Sequence, residues 1–388
     1  MDLRIDVAQV VGYTRAMDRR TFVSLAASMP LMGGPTNDPV YKVVTPFKPA
    51  AQPGTPGPFP GQVVRVHSDK SLDTTTDTAD RAVVKQMLSA GIRALTGAGS
   101  DAEAWSKFIA PNDVVGIKVN CGNPGIPSAP EIVAGIVENL VAIGVPAAQI
   151  YVYDRFDVDD IIPIYTKFLP AGVQFWAAEL GRDKAILGYH PGTYVETSFF
   201  GEDDTRSFLN RLVVEKLTKI INVPSAKEHQ AAGVTGCLKN VAFGNFYNTG
   251  RCHHYERTNA GTFIGTLAAV EPLRSRVVLN IMDGLRGVWH LGPFRTSERF
   301  RFFPKLLMLG TDPVAMDQKL IELVEAKRKA EGAVSIFDRD PAHLSTTRNK
   351  TDPNFNAYIR EPGHVEFAAS LGLGIFDNSA IRTREIEL

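Results

Sequence analysis

What most constrains the fold is a recurring unit: a short β-branched run that stops at polar residues, followed by a helix with one apolar face. Asp113–Asn120, DVVGIKVN, reads as a buried strand ending in Lys118 and Asn120. Pro130 and Glu131 then open a helix carrying Ile132, Val133, Ile136, Val137 and Leu140, and Gly144-Val145-Pro146 ends it. Ile150–Asp154 supplies the next strand. Strand, helix and strand in succession favour a parallel pair joined by a right-handed crossover. Upstream, Val63–His67 is strand-like, and Val83, Val84, Met87, Leu88 and Ile92 recur at helical spacing. Downstream, Leu217–Val223, Val277–Asp283 and Leu306–Gly310 are apolar runs of strand length. The last leads through Thr311-Asp312-Pro313 into a helix with Met316, Leu320, Leu323 and Val324. The expected class is α/β, a mostly parallel or mixed sheet flanked by helices. Segments 182–211 and 331–360 are polar and read as irregular insertions over the sheet's carboxyl edge.

Two segments stand before this body. Residues 17–34, MDRRTFVSLAASMPLMGG, put Arg19-Arg20 just ahead of a weakly apolar stretch from Phe22 to Met32. That is the pattern of a twin-arginine export signal, with Met17 as a candidate start. An amphipathic N-terminal helix is the ordinary reading, and no clear A-x-A cleavage site follows. Residues 1–44 are thus expected as signal and leader, and the Pro/Gly-rich 45–62 as a linker. The α/β domain is expected over 63–388, with two lobes meeting near 210–220. The export machinery becomes an expected partner and the periplasm or another extracytoplasmic space the destination. If the signal does not operate, the protein stays in the cytoplasm. No run of 18 apolar residues occurs, so no stable membrane span is expected. Acidic and basic residues balance at 42 each, which leaves no global field to draw nucleic acid. Oligomeric state does not follow from the sequence.

Ligands of open α/β sheets bind beyond the carboxyl ends of the strands. Here those ends carry Lys118, Asn120, Asp154, Arg155 and Asp283, with Lys227 and His229 just after Val223. Each has a plain structural alternative. Asp154-Arg155 could be an ion pair, Asp283-Gly284 a turn, and Asp312 a helix cap. Segment 223–254 is the richest, and reads as a glycine-punctuated functional loop holding Lys227, His229, Cys237, Lys239, Asn240, Cys252, His253 and His254. Lys118, His229 and Lys239 are the candidate catalytic groups, imidazole for proton transfer and crowded amines for nucleophilic work. Lys239, Asn240, Asn120, Lys227, Asp154 and Asp283 are candidates for holding a small-molecule ligand or cofactor. Cys252, His253 and His254 are the candidate ligands of a transition metal, although the spacing fits no standard zinc motif. Three cysteines give neither a disulfide framework nor a four-cysteine iron–sulfur cluster. The chain has no Walker P-loop, no G-x-S-x-G elbow and no G-x-G-x-x-G after a strand.

DVVGIKVN, INVPSAKEH, VTGCLKNVAFG, IMDG and GTDPVAMD, in that order, resemble the signature blocks of the domain-of-unknown-function 362 family, over roughly 63–376. The resemblance implies an α/β fold and agrees with an export signal, but it implies no reaction. Some members carry ferredoxin-like cysteine clusters, which this chain does not have. His229 and Lys239, followed by further histidines, are similar to the lactate racemase family. There a lysine holds a nickel-pincer nucleotide covalently, and histidines ligate nickel or move protons. That likeness implies a cofactor on Lys239, acid–base work for His229 and a ligand role for His253 or His254. The surrounding residues differ from that family. Two functions stay open: an enzyme acting on a small polar substrate with a bound metal or nucleotide-type cofactor, by racemase- or epimerase-like or redox chemistry, or a non-catalytic envelope protein that binds an anion or metal.

Overall fold

The structure is a computed structural model that describes residues 2–5, 39–121, 126–156, 158–179, 188–254, 257–294, 297–345 and 352–388. Arg19-Arg20 and the rest of the candidate signal lie outside the described residues.

The main sheet is built from β1 (Gln62–His67), β2 (Val115–Lys118), β3 (Ile150–Asp154), β4 (Gln174–Ala177), β5 (Lys219–Asn222), β6 (Ser225–His229), β7 (Val277–Val288), β8 (Leu306–Gly310) and β9 (Arg382–Glu387). Its spatial order is β9-β1-β8-β7-β5-β2-β3-β4, and β6 adds to β7. From β4 to β7 all neighbours are parallel, while β8 runs antiparallel to both β7 and β1. The sheet is therefore mixed, as the alternating pattern implies. Along β8 the side chains alternate, Leu306 and Met308 joining one core and Leu307 and Leu309 the other. Helices α1 (Arg81–Thr96) and α2 (Pro130–Ala142) cover one face. The other face is covered by α3 (Gly236–Phe243), α4 (Ala260–Ala268), α5 (Pro313–Ala330) and α6 (His364–Ser370).

Three regions depart from the sequence expectation. β7 runs five residues past Asp283, because its second half pairs with β6 through Ala226↔Gly287 and Lys227↔Val288. Gly287 permits that pairing, since a Cβ there would strike the Ala226 carbonyl and the Phe302 ring. Segment 223–254 is not a loop but holds β6 and α3, and the polar side chains of those two elements are buried. Part of the expected insertion 182–211 forms Tyr189–Glu196 and Arg206–Asn210, which pair antiparallel with each other. Tyr41–Val44 adds to the first of these, and Asp2–Ile5 to Tyr41–Val44. Asp312 takes the bland role: its carboxylate caps α5 at Ala315 and accepts the backbone N–H groups of Gly61 and Ile375.

Candidate active site

At the carboxyl edge of the sheet lies a cavity of about 340 Å³. Asn120, Asp154, His229, Lys239, Asn240 and His253 line it, all of them candidates from the sequence. Arg155 and Phe156, which follow β3, close one side, while Leu291-Gly292-Pro293-Phe294 and Tyr358 form a roof.

The floor is a layer of paired polar groups. Lys118, fully buried at the end of β2, donates to Asp154 Oδ1 at 2.8 Å and to the Val119 carbonyl. Asp154 Oδ2 accepts the backbone N–H of Cys121 at 2.6 Å. Next to them runs a one-way chain of amides. Lys227 donates to Asn120 (2.6 Å), Asn120 to Asn240 (2.9 Å), Asn240 to Asn222 (2.8 Å) and Asn222 to Asn280 (2.8 Å). Each Nδ2 donates and each Oδ1 accepts, so every amide is held in one orientation. Lys118 and Lys227 thus sit beneath the cavity rather than on its wall. Gly244 makes this possible, because a Cβ there would run into the end of the Lys118 side chain. Burial lowers the Lys227 ammonium to about 8. Asp283 is further from the chemistry than the sequence suggests. Its carboxylate anchors the Ala129 and Leu285 N–H groups, and burial raises its pKa.

Lys239 differs from these. It projects from α3, which Asp317 caps by accepting the N–H groups of Cys237 and Leu238. The side chain is 9% exposed, and its ammonium stands 4.3 Å from the centre of the Phe243 ring. Among the described residues no carboxylate or other hydrogen-bond acceptor pairs with it. No salt bridge links it to Asp283, whose carboxylate accepts backbone N–H groups instead. Burial, with the nearby charges of Arg155 and Lys227, lowers Lys239 to about 7.

His229 lies close by. Its Nδ1 accepts the N–H groups of Ala231 (3.1 Å) and Ala232 (3.2 Å), which puts the proton of the neutral ring on Nε2. Burial, then Lys239, hold its pKa well below the usual histidine value. The His253 ring is 5.4 Å from that of His229, and burial lowers it to about 3. The three candidate metal ligands do not converge. His254 is exposed with its ring against Phe200, and Cys252 is buried with its thiol pushed up to about 12. Among the described residues no group of three or more His, Cys, Asp or Glu is placed to hold a metal ion.

The family described as Domain of unknown function (DUF362) matches residues 115–322, more than half of the chain. The chain belongs to that family. The match spans four of the five sequence blocks whole, the first from Val115 onward, and every pocket element except the segment bearing Tyr358. No curated protein matches this DUF362 member. A crystal structure of a Thermotoga maritima protein aligns over 64% of this chain and 59% of its own, at 11% identity and a TM-score of 0.39. The lactate racemase apoprotein from Thermoanaerobacterium thermosaccharolyticum aligns over 68% and 57%, at 10% identity and a TM-score of 0.36. The chain thus spans less than two thirds of either protein, and likenesses this slight transfer neither fold nor activity.

Several site residues were not singled out from the DUF362 sequence. Arg155 was noted only as a strand-end group, yet it lines the pocket and pairs with Glu179 at 2.7 Å. Gln230, Thr235, Phe243 and Thr249 sit inside the rich segment and carry no signal beyond that position. Tyr358 comes from the polar insertion, and Leu291–Phe294 from beyond the expected end of a strand.

Proposed function

We propose that this DUF362 protein is an enzyme in which the Lys239 amine condenses with the carbonyl carbon of a small anionic substrate or cofactor. The observation that carries this is a buried amine without a hydrogen-bond partner among the described residues, facing a pocket and titrating near neutrality. A neutral amine is a nucleophile, whereas an ammonium is not. Its lone pair adds to the carbonyl carbon and one N–H proton passes to the oxygen, giving a carbinolamine whose oxygen the neutral His229 can hold by a hydrogen bond from Nε2–H; the second N–H proton then leaves with that oxygen as water. Loss of water then leaves an imine, which acidifies the neighbouring C–H for racemase- or epimerase-like proton transfer. Three of the remaining unpaired groups also suit an anion: Arg155 Nη2, Thr235 Oγ1 and His229 Nε2 have no protein partner among the described residues, whereas Gln230 Oε1, unpaired as well, is an acceptor. Asp154, the carboxylate on the wall, has both oxygens occupied from below.

A carbonyl-bearing nucleotide-type cofactor attached through Lys239 fits this arrangement. A metal held by His253, His254 and Cys252 does not, because the three side chains do not converge. The test is borohydride reduction in the presence of pyruvate, followed by peptide mass spectrometry. Labelling of Lys239 is expected. It should rise as pH increases through about 7 and level off above, because only the deprotonated amine reacts. Labelling still climbing at about pH 9 would mean an ordinary surface lysine and would overturn the reading. The same unpaired donors support a second reading, reversible capture of an anion, for which protein would bind carboxylates but never label.

We further propose export through the Arg19-Arg20 signal. Among the described residues no helix is long and apolar enough to cross a membrane. Changing both arginines to lysine should hold the protein in the cytoplasm. Equal extracytoplasmic yield from both forms would refute the signal.

A further inference from the structure

We infer that the molecule bound over Lys239 carries an aromatic ring beside its anionic group, and that the ring lodges against Phe156 and Phe294 at the pocket mouth. The covalent step rests on the reading above, while the ring does not. Phe156 is 40% exposed and Phe294 51%, placing both among the few large apolar side chains the described surface shows to water. They come from different parts of the chain, one after β3 and one in the roof, and both border the same cavity. Isolated exposed apolar residues need no explanation, but a pair converging on one pocket marks an apolar contact surface. The Arg155 guanidinium lies 4.9 Å from the centre of the Phe156 ring, so a cation and a phenyl face are presented side by side.

Deeper in, Phe243, Leu291, Pro293 and Tyr358 continue the apolar wall, while the unpaired polar groups are mostly donors. A ligand that satisfies both sets is amphipathic, with a compact oxyanion for the Arg155, Thr235 and His229 donors and a flat apolar body against Phe156 and Phe294 beside Arg155. The cavity, at about 340 Å³, suits one ring with a short acid chain rather than a peptide or an extended lipid. Together with a carbonyl for Lys239, the class is an aromatic 2-oxo carboxylate.

Two measurements on the full chain test this. In isothermal titration, which needs no carbonyl, 3-phenylpropionate should bind at least about tenfold more tightly than propionate. The Phe156→Ala/Phe294→Ala double variant should lose most of that preference while keeping its affinity for propionate and its melting temperature. Equal affinity for the two acids, no binding of either, or a preference unchanged in the double variant would overturn the ring assignment. In borohydride trapping, phenylpyruvate should label Lys239 at concentrations about tenfold lower than pyruvate. Equal labelling by both also overturns the ring assignment, yet leaves the amine chemistry standing. A strong preference for 3-phenylpropionate with no labelling by either keto acid does the reverse: the imine falls and the aromatic site stays.

Discussion

Replacing Lys239 with methionine should abolish borohydride trapping and leave the melting temperature equal to or above that of the parent. Methionine fills a similar volume beside Phe243 and does not have to hold a buried amine. The sign of the stability change follows from proton binding. An unfolded Lys239 keeps its proton at any pH below its ordinary 10.5, but the folded one releases it above about 7. Between those values the unfolded chain carries the extra proton, so the parent loses stability as pH falls toward 7, and the loss is complete below 7. Lys239→Met removes that dependence. Its advantage should therefore grow from about pH 10 downward, reaching a few kcal/mol by about pH 6. Lys239→Arg should fold less well and also fail to label, because a guanidinium neither deprotonates nor fits a compact amine's place. Melts at two pH values, with labelling on the same samples, measure both effects. A lower melting temperature for Lys239→Met with labelling retained elsewhere in the pocket would make Lys239 a structural residue.

Arg360→Met should have the larger cost in stability, about 3–5 kcal/mol. Arg360 pairs with Glu228 at 2.9 Å, and the two side chains are 2% and 0% exposed. Without Arg360, Glu228 keeps, among the described residues, only the N–H of Gly292, at 2.7 Å, as a partner for a buried carboxylate. The damage should reach the pocket, since Gly292 belongs to its roof. Arg328 supports the same knot by donating to the Trp289 carbonyl and to His290 Nδ1. Burial and both guanidinium groups push His290 down to about 2, so it stays neutral and can accept. Adding Glu228→Gln to Arg360→Met should recover part of the loss, because the stranded charge is gone. Urea unfolding of the single and double variants would show this. A single variant within about 0.5 kcal/mol of the parent would mean the pair is not needed.

The inner strands were legible because they are buried on both faces and read as apolar runs, whereas the edge strands β4 and β9, half-buried or exposed, were not. Ile150–Asp154 and Leu306–Gly310 match their expected bounds residue for residue. Such periodicity reports burial and not pairing partners. For that reason the far end of β7, with Gly284 and Gly287 interrupting its apolar run, did not read as strand. At the site, the strand-end rule placed Asn120, Asp154 and His229 correctly on one cavity, because strand polarity alone decides that edge. It could not separate wall from floor. Lys118, Lys227 and Lys239 are the same residue type at the same edge, and only tertiary contacts show that the first two are engaged while the third is not. Adjacent residues such as His253 and His254 point different ways in any regular structure, and extended backbone turns His253 toward the pocket and His254 to solvent. Arg360 and Tyr358 were invisible, lying in a segment with no periodicity, their meaning set by partners more than 100 residues away.

β7 passes unbroken from the floor to the threshold of the roof. Asn280 ends the floor's amide chain, Val288 closes the pairing with β6, and Leu291 and Gly292 follow within four residues. The floor and the Leu291–Phe294 part of the roof are therefore tied to one strand. Phe156, Thr249-Gly250 and the roof's Tyr358 are carried on separate stretches of chain, which leaves them freer to admit and release a bound molecule. The pace of turnover would be set there, by how quickly those stretches yield, while the strand holds the reacting groups in register.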